Sequence, residues 1–171
     1  MKQNKAEKLL AGVLSISLAM GVSVMPAFAA QVQGPPYEDM SRVYLTKNYE
    51  LANTGTISPE ETFTFTIDPG TVTDASEGID AADYLPNVGS VTYRQGEAGS
   101  ANKTRQIEIQ LPKYDSVGVY TYIIHEVEGN SAGVTYYGDA ILLRVTVIEQ
   151  DGKLRIAAVH TEDPESTGEG K

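Results

Sequence analysis

Hydrophobic and polar residues alternate in short runs through the middle of the chain. The clearest run is VYTYIIHE, residues 119–126, in which Tyr120, Tyr122 and Ile124 share one face. β-Branched and aromatic residues at a period of two are typical of a strand that is packed on at least one side. The same parity places Glu126 on that face, so the pattern predicts a carboxylate at the end of a core-facing row. A buried acid without a partner costs several kcal/mol, so Glu126 must be paired, neutral or used in chemistry.

Seven or eight such runs, separated by turn residues at intervals of roughly ten, predict an all-β sandwich. The predicted strands cover residues 43–49, 62–67, 88–93, 104–111, 119–126, 134–137, 139–149 and 153–160. Pro69-Gly70 is expected to end the second strand, and Asp151-Gly152 to form a tight hairpin turn. Residues 71–86 show no sustained period, so we expect a long loop there, with a helical turn near Ala81.

The sequence divides into four predicted segments. Residues 1–29 carry a basic leader, an apolar run and an Ala27-Phe28-Ala29 cleavage site, which indicate a signal peptide for export. A membrane anchor is the weaker interpretation, because Gly, Ser and Pro interrupt the apolar run. Residues 30–41 are predicted to be a flexible lead-in, residues 42–160 the sandwich domain, and residues 161–171 an acidic tail or a truncated connection.

Composition narrows the range of partners. The whole chain of 171 residues has a net charge of −10, and removal of three Lys and one Glu with the leader makes it −12. A strongly acidic exported domain is a poor match for nucleic acid or anionic membrane surfaces. The chain contains no cysteine, so no disulfide ties this fold. We predict no cofactor, no metal site and no membrane association once the leader is removed.

The order of several motifs resembles a known family. The sequence reads Leu45-Thr46-Lys47, then PEETFTF over residues 59–65, then Tyr120-x-Tyr122-x-Ile124-x-Glu126; GVTY over residues 133–136 and Leu143-x-Val145-x-Val147 follow. This order is similar to that of the streptococcal-type pilin isopeptide linkage domain, a relative of the collagen-adhesin B-type domains of Gram-positive surface proteins. The resemblance covers residues 43–160. It implies an immunoglobulin-like β-sandwich.

The resemblance also implies a site. Members of the family form an internal amide bond between a lysine on the first strand and an asparagine on the last strand, promoted by a buried glutamate. The lysine matches Lys47 and the glutamate matches Glu126, whereas no asparagine of this sequence matches the third position. We therefore expect a sandwich without its closing strand. Three explanations stay open: the sequence is part of a longer pilin, the domain accepts the strand from elsewhere, or the crosslink has been lost.

The residues themselves allow this chemistry. An amine attacks a carboxamide only in its neutral form, and burial disfavours the charged forms of both a lysine and a glutamate. A protonated Glu126 can then polarise the carbonyl and relay a proton to departing ammonia. Such a reaction occurs once per molecule, so the chain is not predicted to be an enzyme with turnover. A surface Lys47, a solvated Glu126 at the strand end, and a Lys47–Glu126 salt bridge without covalent chemistry are the alternatives.

These patterns predict a structural subunit or stalk module of a Gram-positive pilus or adhesin, secreted and displayed at the cell wall. Its expected partners are other pilin subunits, the wall assembly and a host ligand. One alternative is a secreted sandwich that binds a glycan or host protein through residues 71–86. Another is a hydrolase that uses the paired acids Glu108 and Glu126. His125 and His160 do not have metal-ligand spacing, and a solvated loop is favoured over calcium binding for four acids: Asp74, Glu77, Asp80 and Asp83.

Overall fold

A computed structural model describes residues 39–162 of the chain. The predicted signal peptide, the lead-in up to residue 38 and the tail beyond residue 162 lie outside the described residues. The strands are β1 Arg42–Asn48, β2 Glu61–Phe63, β3 Phe65–Thr73, β4 Asn87–Val88, β5 Val91–Tyr93, β6 Thr104–Gln110, β7 Gly118–Glu126, β8 Ile141–Gln150 and β9 Lys153–Glu162. One 3-10 turn, Ala81–Tyr84, lies between β3 and β4, close to the helical turn expected near Ala81.

The described strands form three antiparallel sheets. Their orders are β1-β6-β4, β2-β5 and β3-β7-β8-β9. The alternating TFTF run changes sheet part-way, because β2 ends at Phe63 and β3 begins at Phe65. Phe63 is fully buried, whereas Phe65 is only partly buried. A single alternating run therefore supplies a core residue to one sheet and then crosses to the next.

The core lies between the sheets and follows the predicted alternation. On β7, burial alternates along the whole strand, and on β8 every second residue from Ile141 to Val147 is buried. Leu45, Ile107 and Ile109 enter the same core from β1 and β6. Residues at a period of two on both inner faces are what a sandwich requires. The predicted all-β sandwich is confirmed.

The connection after β3 differs from the prediction. The strand does not end at Pro69-Gly70 but continues to Thr73, with a shift of register between Pro69 and Val72. Proline lacks a backbone N–H and is tolerated at residue 69 because β3 is an edge strand of its sheet. The shift of register that begins there also interrupts the regular ladder of hydrogen bonds. A Cβ on Gly70 would lie 2.6 Å from the backbone oxygen of Thr121. This close approach explains why glycine occupies the irregularity.

Two further strand predictions were inaccurate, and one turn was right. Residues 134–137 do not form a strand, and they lie in the irregular connection between β7 and β8. The predicted strand 88–93 is two short strands, β4 and β5, which pair in different sheets. Asp151 and Gly152 both have positive φ, 54° and 71°, as expected for the tight turn between β8 and β9.

Candidate functional site

Lys47 and Glu126 meet inside the sandwich. The Nζ atom of Lys47 lies 2.8 Å from Oε1 and 2.6 Å from Oε2 of Glu126, so the ammonium donates to both oxygens of the carboxylate. Only 2% of the Glu126 side chain and 13% of the Lys47 side chain is exposed. The structure thus brings together the two residues that the sequence singled out. A pair this well buried is little screened by solvent and salt.

The two side chains come from different sheets. Lys47 is near the end of β1 and lies opposite Arg105 of β6, whereas Glu126 is the last residue of β7 and lies opposite Phe65 of β3. The alternation of β7 directs Glu126 to the core face, in the row that contains Tyr122. The contact therefore spans the core. It links β1, in the β1-β6-β4 sheet, to β7, a central strand of the β3-β7-β8-β9 sheet.

One aromatic ring, Phe63, lies over the Lys47 ammonium and is itself packed among three tyrosines: Tyr49, Tyr93 and Tyr136. Lys47 Nζ lies 4.3 Å from the centroid of the Phe63 ring, within cation–π range. The Phe63 ring in turn lies 5.1 Å from Tyr49, 5.8 Å from Tyr93 and 5.7 Å from Tyr136, centroid to centroid. The Phe63 ring covers the ammonium, whose donors are directed to Glu126. From the sequence, Tyr93 carries no signal and Tyr136 appears only as the end of the GVTY motif, because a tyrosine in a short strand or loop has no spacing that marks it as part of a site.

Tyr93 also fixes the backbone that carries the lysine. Its hydroxyl donates a 2.6 Å hydrogen bond to the carbonyl oxygen of Lys47. Burial raises the pKa of Tyr93 to about 12, although the nearby Arg105 opposes the shift. The Arg105 guanidinium lies 4.9 Å from the Tyr93 ring centroid and is held by Glu97 at 2.7 Å. The phenol is thus kept neutral and able to donate, which holds β1 in place at Lys47.

The family model FctA, described as a Spy0128-like isopeptide containing domain, matches residues 43–169. The chain belongs to this family. It is also 26% identical over 147 residues to a "Pilin" from Streptococcus pyogenes serotype M1. That similarity covers 84% of this chain but 43% of the pilin, so the chain spans less than half the length of this curated relative. No solved structure matches the chain.

In this Spy0128-like domain, the arrangement at residues 47 and 126 permits proton exchange. The amine and the acid are at hydrogen-bonding distance, which is the geometry that general acid–base chemistry requires. Within residues 39–162, the side-chain contacts of Lys47 Nζ are with Glu126 and Phe63.

The acids of the hydrolase alternative are not brought together. Glu108 lies between the buried residues Ile107 and Ile109 on β6, so it points away from the core, whereas Glu126 points into it. Glu108 accepts hydrogen bonds at the surface from Tyr44 and Gln110. The paired-acid interpretation is therefore wrong.

The remaining candidates lie at the surface. His125 is exposed, and His160 contacts Glu162 at 2.9 Å. In the predicted acidic loop, Asp80 caps the 3-10 turn by accepting from the backbone nitrogen of Ala82. No group of three or more potential metal ligands occurs within residues 39–162. In the same part of the chain, no helix has the length and apolar character needed to cross a membrane.

Proposed function

We propose that this Spy0128-like domain is a load-bearing module of a Gram-positive pilus or surface fibre, and that Lys47 and Glu126 form its self-crosslinking site. The observation that carries the proposal is the buried Lys47–Glu126 contact, in which both carboxylate oxygens accept from one ammonium. Membership of an isopeptide-containing family and similarity to a streptococcal pilin support the same role. The module is exported and displayed at the cell wall, where other pilin subunits, the wall assembly and a host ligand are its partners.

In the proposed reaction, Lys47 attacks the side-chain carboxamide of an asparagine from a strand outside residues 39–162. Glu126 first accepts a proton from the ammonium, which leaves a neutral amine. The Nζ–C bond then forms, Glu126 passes that proton to the amide nitrogen, and the bond from the carbonyl carbon to this nitrogen breaks. The carboxylate of Glu126 then takes the second proton from Nζ, which leaves a neutral amide. One amide bond and one ammonia are the products. Because Lys47 is consumed, the domain performs the reaction once.

A crosslink at this position suits a mechanical role. β1 and β7 belong to different sheets, and the Lys47–Glu126 contact lies between them. The domain contains no cysteine, so no disulfide can resist extension of its terminal strands. An amide bond to Lys47 would prevent β1 from peeling away from the core under load.

Mass spectrometry of the full-length gene product tests the proposal. We expect the intact mass to be lower by one ammonia than the mass calculated for the chain without its leader, and peptide mapping to join Lys47 to an asparagine side chain. Glu126→Gln and Lys47→Arg should each restore the full calculated mass, whereas Lys153→Arg, at an exposed lysine, should not. Recovery of Lys47 with a free amine in the mature wild-type protein would overturn the crosslink.

A further inference from the structure

Two buried polar atoms near the Lys47 site lack hydrogen-bond partners among residues 39–162. They are Oε2 of Glu61 and the hydroxyl of Tyr136. Glu61 is 8% exposed and belongs to the core-facing side of β2. Oε2 of Glu61 can accept a hydrogen bond, and the Tyr136 hydroxyl can donate one. Buried polar groups in folded proteins are almost always paired, directly or through an ordered water.

Both groups lie around the same aromatic ring. Glu61 and Phe63 are the two inward residues of β2, and the Tyr136 ring packs 5.7 Å from that of Phe63. The Tyr49 ring also packs on Phe63, with 5.1 Å between the centroids. Burial raises the pKa of Tyr49, and the charges of Glu61 and then Tyr136 raise it further. The carboxylate and the hydroxyl are therefore within electrostatic reach of one phenol. The Phe63 ring, which packs against Tyr136, is the one that contacts the Lys47 ammonium.

The connection between β7 and β8, residues 127–140, brings Tyr136 to this ring. The connection begins directly after Glu126, and Gly129 lies close to the Tyr136 hydroxyl. A Cβ on Gly129 would lie 2.3 Å from the Tyr136 hydroxyl oxygen, so a side chain there would displace the hydroxyl. A Cβ on Gly138, in the same connection, would meet nothing within 4 Å.

We propose that Tyr136 and Glu61, which make no direct hydrogen bond, form a latch: the hydroxyl donates to the carboxylate through one ordered water and fixes residues 127–140 over Phe63. The latch presses the Phe63 ring against Lys47 and so keeps the amine aligned with Glu126. Both members are positioning residues, since neither touches the reacting atoms. Their importance for crosslinking rests on the proposed function, whereas the latch itself is a property of the fold and is testable without any crosslink.

A double-mutant cycle measures the latch. We expect Tyr136→Phe and Glu61→Met each to lower the folding equilibrium constant about tenfold, because each removes one hydrogen-bonding group and leaves the other buried and unpaired. The double variant should lose little more than either single variant. Tyr44→Phe removes a hydroxyl from a residue that is 40% exposed and serves as the control, with little change expected. Effects of the two single variants that multiply in the double variant would refute the latch.

The second measurement follows Lys47 itself. The folded protein is treated with an amine-acylating succinimidyl ester, and the labelling rate of Lys47 is compared with that of exposed Lys113 and Lys153 by peptide mass spectrometry. Tyr136→Phe and Gly129→Ala should raise the Lys47 rate several-fold, while Gly138→Ala should not. Unchanged labelling in both variants would refute the positioning role. A crosslink missing from the full-length protein, with coupling and labelling as expected, would instead refute the proposed function alone.

Discussion

Glu126 Oε2 and Lys47 Nζ are 2.6 Å apart in the interior, on strands that belong to different sheets. Glu50 and Lys103 have almost the same separation, 2.7 Å, but their side chains are 43% and 39% exposed. The two pairs differ mainly in how far their side chains are exposed to solvent. Removal of one member of a buried pair leaves the other charge unpaired where water cannot reach it, whereas an exposed charge is simply rehydrated.

The first prediction follows from this contrast. Lys47→Met should lower the free energy of unfolding by about 3–5 kcal/mol, because Glu126 is left buried without its donors. The double variant Lys47→Met with Glu126→Gln should lose less than the sum of the two single variants. Urea denaturation of the wild type, the two single variants and the double variant measures the coupling directly. No asparagine-bearing strand is present, so no crosslink contributes to the stability of any of the four proteins.

The surface pair provides the matched control for that cycle. Lys103→Met with Glu50→Gln should show a coupling of about 1 kcal/mol or less, as is typical of exposed ion pairs. If the coupling at Lys47 and Glu126 is no larger than this, the interior pair does not behave as a desolvated one.

A second prediction concerns the tyrosine cluster around β7. The Tyr122 hydroxyl donates to the backbone oxygen of Tyr84 at 2.7 Å and lies 3.2 Å from the Tyr114 hydroxyl. Tyr122→Phe removes both interactions in a fully buried position, so we expect a loss of about 1–3 kcal/mol in urea denaturation. Tyr44→Phe, at the surface, should change stability by about 0.5 kcal/mol or less. Equal effects of the two variants would contradict a structural role for the buried network.

The alternation of the sequence was enough to predict the sandwich and the direction of Glu126. A strict period of two along 119–126 leaves little choice once one face is buried, and β7 has the expected parity. The alternation could not predict which strands share a sheet, because strand pairing depends on contacts between distant parts of the chain. For the same reason, the change of sheet between Phe63 and Phe65 was not visible.

The site was only partly predictable for a related reason. Lys47 and Glu126 occupy regular strand positions, so parity and a family resemblance together identified them. Tyr136 lies in an irregular connection, where no period relates it to Phe63. The pattern at 134–137 favoured a strand, but tertiary packing placed these residues in a loop against the core. Glu61 was overlooked because the sequence shows two adjacent glutamates before Thr62 and only the structure shows which one is buried.

A third prediction concerns alkaline pH. Burial raises the pKa of Tyr93 and of Tyr114 to about 12, whereas a tyrosine in the unfolded chain titrates near 10. The folded state thus favours the neutral phenols. Their contribution to stability is fully present below about pH 10 and is lost as the pH rises through about 12. Urea denaturation at a series of pH values should show this decline, and phenolate absorbance should show the delayed ionisation.

The control for the alkaline decline is Tyr114→Phe, which removes one of the phenols whose pKa is raised in the folded state. Its free energy of unfolding should fall less steeply with pH than that of the wild type over the same range. A wild-type stability that does not change between about pH 10 and about pH 12 would contradict the prediction.

The last prediction concerns the irregular register of β3. Because a Cβ at residue 70 would lie 2.6 Å from the backbone oxygen of Thr121, Gly70→Ala must push β3 away from β7. A backbone oxygen cannot rotate aside as a flexible side chain can, so we expect a loss of about 1–3 kcal/mol. Hydrogen exchange at the β7 amides near Thr121 should accelerate as well. Gly138→Ala, which meets no atom within 4 Å, is the control, and equal stability of the two variants would show that the strands can separate there without loss.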